Sequence, residues 1–288
     1  MKYRQVLYIS TLYAHFAFCL FVLLVFRGVN SIKSFYTSKK NYFDFDLHSF
    51  KLKETSSYHW INALLNSQLI NYYIDLFLRK RISGSYPKIG NEDILNIPIP
   101  KDIDEEAINQ ISIMSKEISD GVYDYEDKKF EINELFFDLY ELSYLEKLRI
   151  KDYFILHLKK KMGRDKNTRL DNYKEVIIDI ISPYLNNLIS IDFTSTDFDL
   201  VVAKISLNEG SKTPSSDRFK KYALNEIFEQ NPNENFLTGQ EKIFGKDCVY
   251  IVKKDTNQNW TGTKAFEDGQ EILKHLISYK NGERIHQS

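Results

Sequence analysis

The chain has 288 residues, 43% hydrophobic and 27% charged, the composition of a globular protein long enough for one large domain or two ordinary ones. Its 39 Lys+Arg against 40 Asp+Glu give a formal charge of -1, which excludes a polycationic coat over the whole molecule, so any nucleic-acid surface has to be local. Two distant cysteines, Cys19 and Cys248, exclude a disulfide scaffold and a C-x-x-C zinc site and fit a reducing compartment.

Residues 6–26 carry no charge, and about 20 apolar residues suffice for a bilayer-crossing helix. Tyr8, Ser10, Thr11, Tyr13 and His15 make the first half only moderately apolar, and no small-residue cleavage site follows. A membrane anchor at 6–26 and a soluble chain both stay open at this point. Residues 27–53 alternate polar with aromatic or β-branched side chains around the turn-like stretch 37–41, which predicts a hairpin. Trp60, Ala63, Leu64, Ser67, Ile70, Asn71, Ile74 and Phe77 then recur at helical spacing, and Gly84 and Pro87 stop the helix. The N-I-P-I-P run, 96–100, reads as a short edge strand, because Pro98 and Pro100 cannot donate to a ladder. Helices follow over 102–121, acidic in its first turn and stopped at Gly121, and over 128–140, with Ile132, Leu135, Phe136 and Leu139 on one face.

Charge segregates along this half. Residues 27–89 hold ten Lys+Arg against four Asp+Glu, 102–146 hold three against fourteen, and 147–169 hold nine against two. The basic run 158–169 is the most linker-like segment and marks the expected domain boundary. Beyond it the pattern predicts a helix over 173–189 interrupted near Pro183, strands over 198–207 and 247–254, and a closing amphipathic helix over 264–280. The fold class is therefore α+β, with a hairpin-and-helix module followed by a small α/β domain.

Four blocks stand in order within this module. They are Leu64-Leu65-Asn66-Ser67-Gln68-Leu69-Ile70-Asn71, Gly84-Ser85-Tyr86-Pro87-Lys88-Ile89, the N-I-P-I-P run, and Asn133-Glu134-Leu135-Phe136-Phe137-Asp138-Leu139-Tyr140. Together they resemble the C-terminal target-recognition region of adenine-specific DNA methyltransferases of the TaqI-like and type IIG restriction-modification class. The resemblance covers roughly 27–145 and implies recognition of double-stranded DNA by sequence, with a methyltransferase catalytic domain or subunit as partner. The physical reading beside it makes Asn66, Ser67, Asn71, Gly84, Tyr86, Pro87, Pro98 and Pro100 framework, with the polar ones satisfying buried backbone groups. On the DNA reading, Lys39, Lys40, Arg79, Lys80, Arg81, Lys159, Lys160, Lys161 and Arg164 are the candidates to neutralise phosphates. For each, the competing reading is a solvated charge.

The methyl-transfer half of that family needs a glycine-rich loop for S-adenosylmethionine and an N-P-P-[FYW] loop for the flipped adenine. The sequence holds neither; Asn231-Pro232-Asn233-Glu234 lacks the second proline and the aromatic and reads as a turn. No catalytic residue, metal site or cofactor is expected in this chain, S-adenosylmethionine belonging to the missing catalytic half. Since the resemblance begins near Arg27, residues 1–26 are expected to be either a membrane helix or the artefact of a truncated or frame-shifted reading frame, dispensable for folding. Asp197 and Asp199 lie where a nuclease would hold Mg²⁺, but Val202-Ala203-Lys204 lacks the acid before the lysine. The six histidines show no metal-ligand spacing.

More faintly, Val249, Tyr250, Ile251, Lys253, Trp260, Ala265 and Asp268 resemble a tail found on some DNA methylase-like phage-defence proteins; a docking element or an additional DNA-contacting lobe is the expectation. The expected organisation is thus an apolar head at 1–26, a recognition domain at 27–146, a basic connection at 147–169 and a small α/β domain at 170–288. A cytoplasmic site is expected, or the inner membrane if 6–26 anchors the chain as an interaction protein with no DNA role.

Overall fold

The computed structural model describes residues 7–8, 22–27, 32–37, 47–52, 58–78, 91–100, 103–158, 166–185, 190–196, 199–207, 240–245 and 248–280. The chain divides into two compact units, Met1–Ile150 and Lys151–Ser288, each mixing helix and sheet, so the class is α+β. The dividing point falls inside a helix, Tyr144–Leu158, and the next helix begins at Lys166.

The first unit opens with β1 (Leu7–Tyr8), β2 (Val22–Arg27), β3 (Ile32–Thr37) and β4 (Leu47–Leu52), paired antiparallel in the order β1-β4-β2-β3. Two expectations are corrected by this order. The hairpin across 37–41 does not form, because β2 sits between β3 and β4 and pairs Val25 with both Ser34 and His48. The run Val-Leu-Leu-Val-Phe is apolar on both of its faces, the pattern of a strand from the interior of a sheet. The same strand takes the end of the apolar stretch, so 6–26 is not one membrane-crossing helix; residues 9–21 lie outside the described residues. No helix among the described residues is long and apolar enough to cross a membrane.

α1 (Tyr58–Asn66) packs on β2 and β3 and on α4 (Glu105–Ser119). The expected single helix breaks at Ser67, giving α1, then α2 (Gln68–Tyr73) and a π-helical turn, Ile74–Leu78. After α3 (Asn91–Leu95), the N-I-P-I-P run begins in a turn at Asn96 and forms no strand of its own. Its prolines lack the N–H a ladder needs, and only Pro100 makes a bridge. Ile97 and Ile99 are buried instead, in one core with Trp60, Ile61, Leu64 and Phe136. α4 starts at Asp104, whose carboxylate accepts from Glu106 N–H at 3.0 Å. It ends at Gly121, whose φ of 76° lets Val122 N–H reach Glu117 C=O at 2.9 Å. α5 (Tyr125–Leu139) buries Ile132, Asn133, Phe136 and Phe137, and α6 (Tyr144–Leu158) follows.

The second unit holds α7 (Lys166–Ile181) with a 3-10 turn at Pro183, then β5 (Ser190–Ser195), β6 (Leu200–Ser206), β7 (Glu241–Phe244), β8 (Cys248–Lys254) and α8 (Gly262–Lys280). The sheet is antiparallel in the order β5-β6-β8-β7, and every residue of β6 is buried. α7 and α8 approach at Gly269, where an added Cβ would meet the Ile180 side chain at 3.0 to 3.2 Å and force it to give way slightly. The amino end of α8 is closed by Asp152 of α6, buried, which accepts from Gly262 N–H at 3.0 Å and Thr263 N–H at 2.7 Å.

β2 is an inner strand of the sheet, so removal of the head is expected to disturb the first unit. A chain beginning at Gly28 is expected to lose the cooperative unfolding of the first unit, read by circular dichroism during thermal denaturation. Retention of a transition as sharp as that of the full chain would contradict this topology.

Candidate nucleic-acid interface

The L-L-N-S-x-L-I-N block is where the first unit is joined. Side-chain amides and hydroxyls of Ser and Asn compete with helical hydrogen bonds, and here they take over from the helix. Ser67, fully buried, has extended φ and ψ; its Oγ donates to Leu64 C=O at 2.7 Å and accepts from Ile70 N–H at 3.3 Å, ending one helix and starting the next. Asn71 Nδ2 donates back to Ser67 C=O at 2.9 Å and to Leu65 C=O at 3.2 Å, and its own N–H also reaches Ser67 C=O at 3.2 Å, tying α2 to the break. From the closing block, Asn133 Oδ1 accepts from Gln68 N–H at 2.8 Å, and Tyr125 Oη donates to Asn66 C=O at 2.9 Å. Burial, with the Glu126 charge second, pushes the Tyr125 phenol up to about 12, so it stays a donor at any physiological pH.

Asn66 reaches outward. Its Oδ1 accepts from Ser34 N–H at 3.0 Å and its Nδ2 donates to Ser34 C=O at 2.8 Å. Both backbone groups of Ser34 therefore point away from β2, and the amide of Asn66 pairs them as a neighbouring strand would. Ser34 Oγ adds a bond to Asn62 Oδ1 at 2.8 Å, with both residues buried. Tyr36 on β3 lies against Tyr58 and His59, with ring centroids at 5.1 and 4.9 Å. Burial, then Lys116, lowers the His59 pKa against a smaller opposing effect of Asp120, so the imidazole is neutral at pH 7. Tyr140 Oη donates to Pro98 C=O at 2.8 Å and ties the end of α5 to the N-I-P-I-P run.

The sequence-level reading of Asn66, Ser67 and Asn71 as framework thus has a definite geometry, with Ser34, Asn62 and Tyr125 as partners that no motif spacing announced. Asn133 did stand in the closing block, and its amide was the available signal. Pro98 and Pro100 are half-buried. Gly84, Tyr86 and Pro87 lie outside the described residues, as do Lys39, Lys40, Arg79, Lys80, Arg81, Lys159, Lys160, Lys161 and Arg164. Among the described residues no group of three His, Cys, Asp or Glu side chains is placed to hold a metal ion. Asp199 precedes β6 in a bend at a φ of 54°, and Asp197 lies outside the described residues.

The tail residues of the second unit converge in its interior. Lys253, Trp260, Ala265 and Asp268 are all buried at 0 to 1% exposure. Asp268 Oδ2 accepts from Lys253 Nζ and Tyr173 Oη, and its Oδ1 accepts from Gln240 Nε2 at 2.7 Å and Lys242 Nζ at 2.9 Å. Lys242 also pairs with Glu271, giving two ammonium groups against two carboxylates. Lys253 Nζ lies 5.1 Å from the Tyr173 ring centroid and 5.4 Å from that of Trp260. Burial presses Lys253 toward its neutral form, with Asp268 opposing, and burial next to Asp268 holds the Tyr173 phenol well above its ordinary value. Residues this enclosed hold β8, α7 and α8 together and offer DNA no surface.

Replacing Asn66 by Ala should lower stability by about 2 kcal/mol, since it strands both half-buried backbone groups of Ser34. Asn66→Asp keeps the acceptor but sets a carboxylate against Ser34 C=O; its folded-state pKa is then raised, and stability should recover as pH falls through that raised value, the recovery being complete at the ordinary carboxylate value. Urea unfolding at two pH values checks both. In the second unit, Asp268→Asn should cost roughly 3 to 5 kcal/mol by leaving buried ammonium groups uncompensated. The Lys253→Met, Asp268→Leu double variant should cost less than the two single changes summed, as a double-mutant cycle would show.

No curated protein and no solved structure matches the chain. One family model does, and it falls on the elements that the Ser34 and Asn66 pairing joins. Residues 22–99, from β2 through the broken helix into the N-I-P-I-P run, match the TaqI-like C-terminal specificity domain.

Proposed function

We propose that this chain is the part of an adenine-specific DNA methyltransferase or restriction-modification system that recognises double-stranded DNA by sequence. The observation that carries the reading is the match over 22–99, which coincides with one sheet and one interrupted helix sharing a core. The methyl-transfer chemistry belongs to a catalytic half on another polypeptide or another stretch of a longer one, because the sequence holds neither a glycine-rich cofactor loop nor N-P-P-[FYW]. S-adenosylmethionine is accordingly a ligand of that half. A membrane-anchored interaction protein is the weaker reading, since part of the apolar stretch is β2.

Specificity domains of this kind use basic side chains to position the duplex and polar or aromatic ones to read base edges. Lys39, Lys40, Arg79, Lys80 and Arg81, with Lys159, Lys160, Lys161 and Arg164, are assigned the first task. Affinity for a random-sequence duplex pool should fall linearly on a log-log plot against salt. Changing Arg79, Lys80 and Arg81 together to Ala should flatten that slope by up to roughly 2 to 3 units while leaving sequence preference in place. An unchanged slope would move the DNA path to 159–169, and duplex affinity independent of salt would contradict the reading. Calorimetry with S-adenosylmethionine should show no binding to this polypeptide alone; a tight signal would contradict the division of labour.

A further inference from the structure

From the end of the interrupted helix we infer a base-reading residue: Phe77, which packs against the methyl group of a thymine in the major groove. The inference rests on the specificity reading above and adds to it a contact to a base edge, the basic residues there being assigned to phosphate.

Apolar spacing places Phe77 on the helical face of Ile70 and Ile74, both of them buried. Phe77 is nevertheless 69% exposed. The cause is the π-helical turn Ile74–Leu78, whose i→i+5 bonds take more residues per turn than an α-helix and so rotate position 77 off the buried face. Leu76 beside it is exposed as well. One face of the Phe77 ring lies against Tyr73, with centroids 5.4 Å apart and planes at 29°, and Tyr73 is itself packed on the core. The ring is thereby held from behind, with its other face and its edge open.

The neighbouring sequence says what covers it. Arg79, Lys80 and Arg81 follow, and at about 3.8 Å per peptide link their Cα atoms lie within about 8 to 15 Å of that of Phe77 whatever path the chain takes. The major groove is about 12 Å wide. A partner that covers the ring therefore meets three cations at groove distance, which suits a polyanion and opposes the charge-poor centre of a protein contact. On a duplex, a ring with one face already occupied cannot slide between two base pairs as an apolar wedge does, since a wedge needs both faces free. It can cover a single apolar group at a base edge, and in the major groove that group is the C5 methyl of thymine.

The test uses the full chain. Selection from a random-sequence duplex pool gives the preferred site, and each thymine in it is then replaced by uracil, which lacks only the methyl. At one position uracil should weaken wild-type binding about fourfold, the worth of one buried methyl. Phe77→Ala should bind the thymine site about that much more weakly and no longer distinguish uracil there, with its salt slope unchanged. The side chain is exposed, so folding should be retained, and a thermal melt confirms it. A site without a methyl-dependent thymine, undiminished discrimination by Phe77→Ala, or a flattened salt slope overturns this assignment alone. Failure of the wild-type chain to select any sequence overturns the specificity reading and the assignment with it.

Discussion

The first unit depends on one pairing, the side-chain amide of Asn66 against the peptide of Ser34. An outer strand presents unpaired N–H and C=O groups, and leaving such groups half-buried without partners costs about 1 to 3 kcal/mol each. Here the cost is avoided because the end of α1 supplies an amide of the right shape, with bonds of 3.0 and 2.8 Å. That contact is possible only if α1 stops at Asn66, which Ser67 brings about, and only if α2 resumes, which Ser67, Asn71 and Asn133 support. The motif is therefore a joint between sheet and helices, and its polar residues are occupied in holding it.

The second unit is organised around a carboxylate. Asp268 accepts four donors, two of them ammonium groups, inside a core that includes Trp260 and Tyr173, packed edge to face at 4.9 Å. A buried ion network of this kind is costly to break and not necessarily stabilising relative to an apolar core, so its value lies in fixing one arrangement of β7, β8, α7 and α8. Gly269, next in sequence, allows α7 to approach closely enough for Tyr173 to reach the carboxylate.

What could be read in the sequence follows the range of the forces involved. α4, α5, β6, β8 and α8 were legible because apolar periodicity and caps are local, and Gly121 and Pro183 ended helices where the pattern placed them. The insertion of β2 between β3 and β4 was not, since strand order is set by pairing across many residues and a wholly apolar strand reads equally as part of a helix. The tail pattern was visible as residues but silent about role, because Lys253 and Asp268 acquire meaning only when Tyr173, 95 residues from Asp268, closes the cluster.

Native-state hydrogen exchange at the Ser34 amide tests the joint most directly. If Asn66 serves as the missing neighbour of β3, this amide should exchange as slowly as the ladder amides between β2 and β3, through opening of the whole unit. Exchange at the rate of an open strand edge, with the ladder still protected, would mean that the pairing does not hold the sheet to α1, and the account of the motif would be wrong.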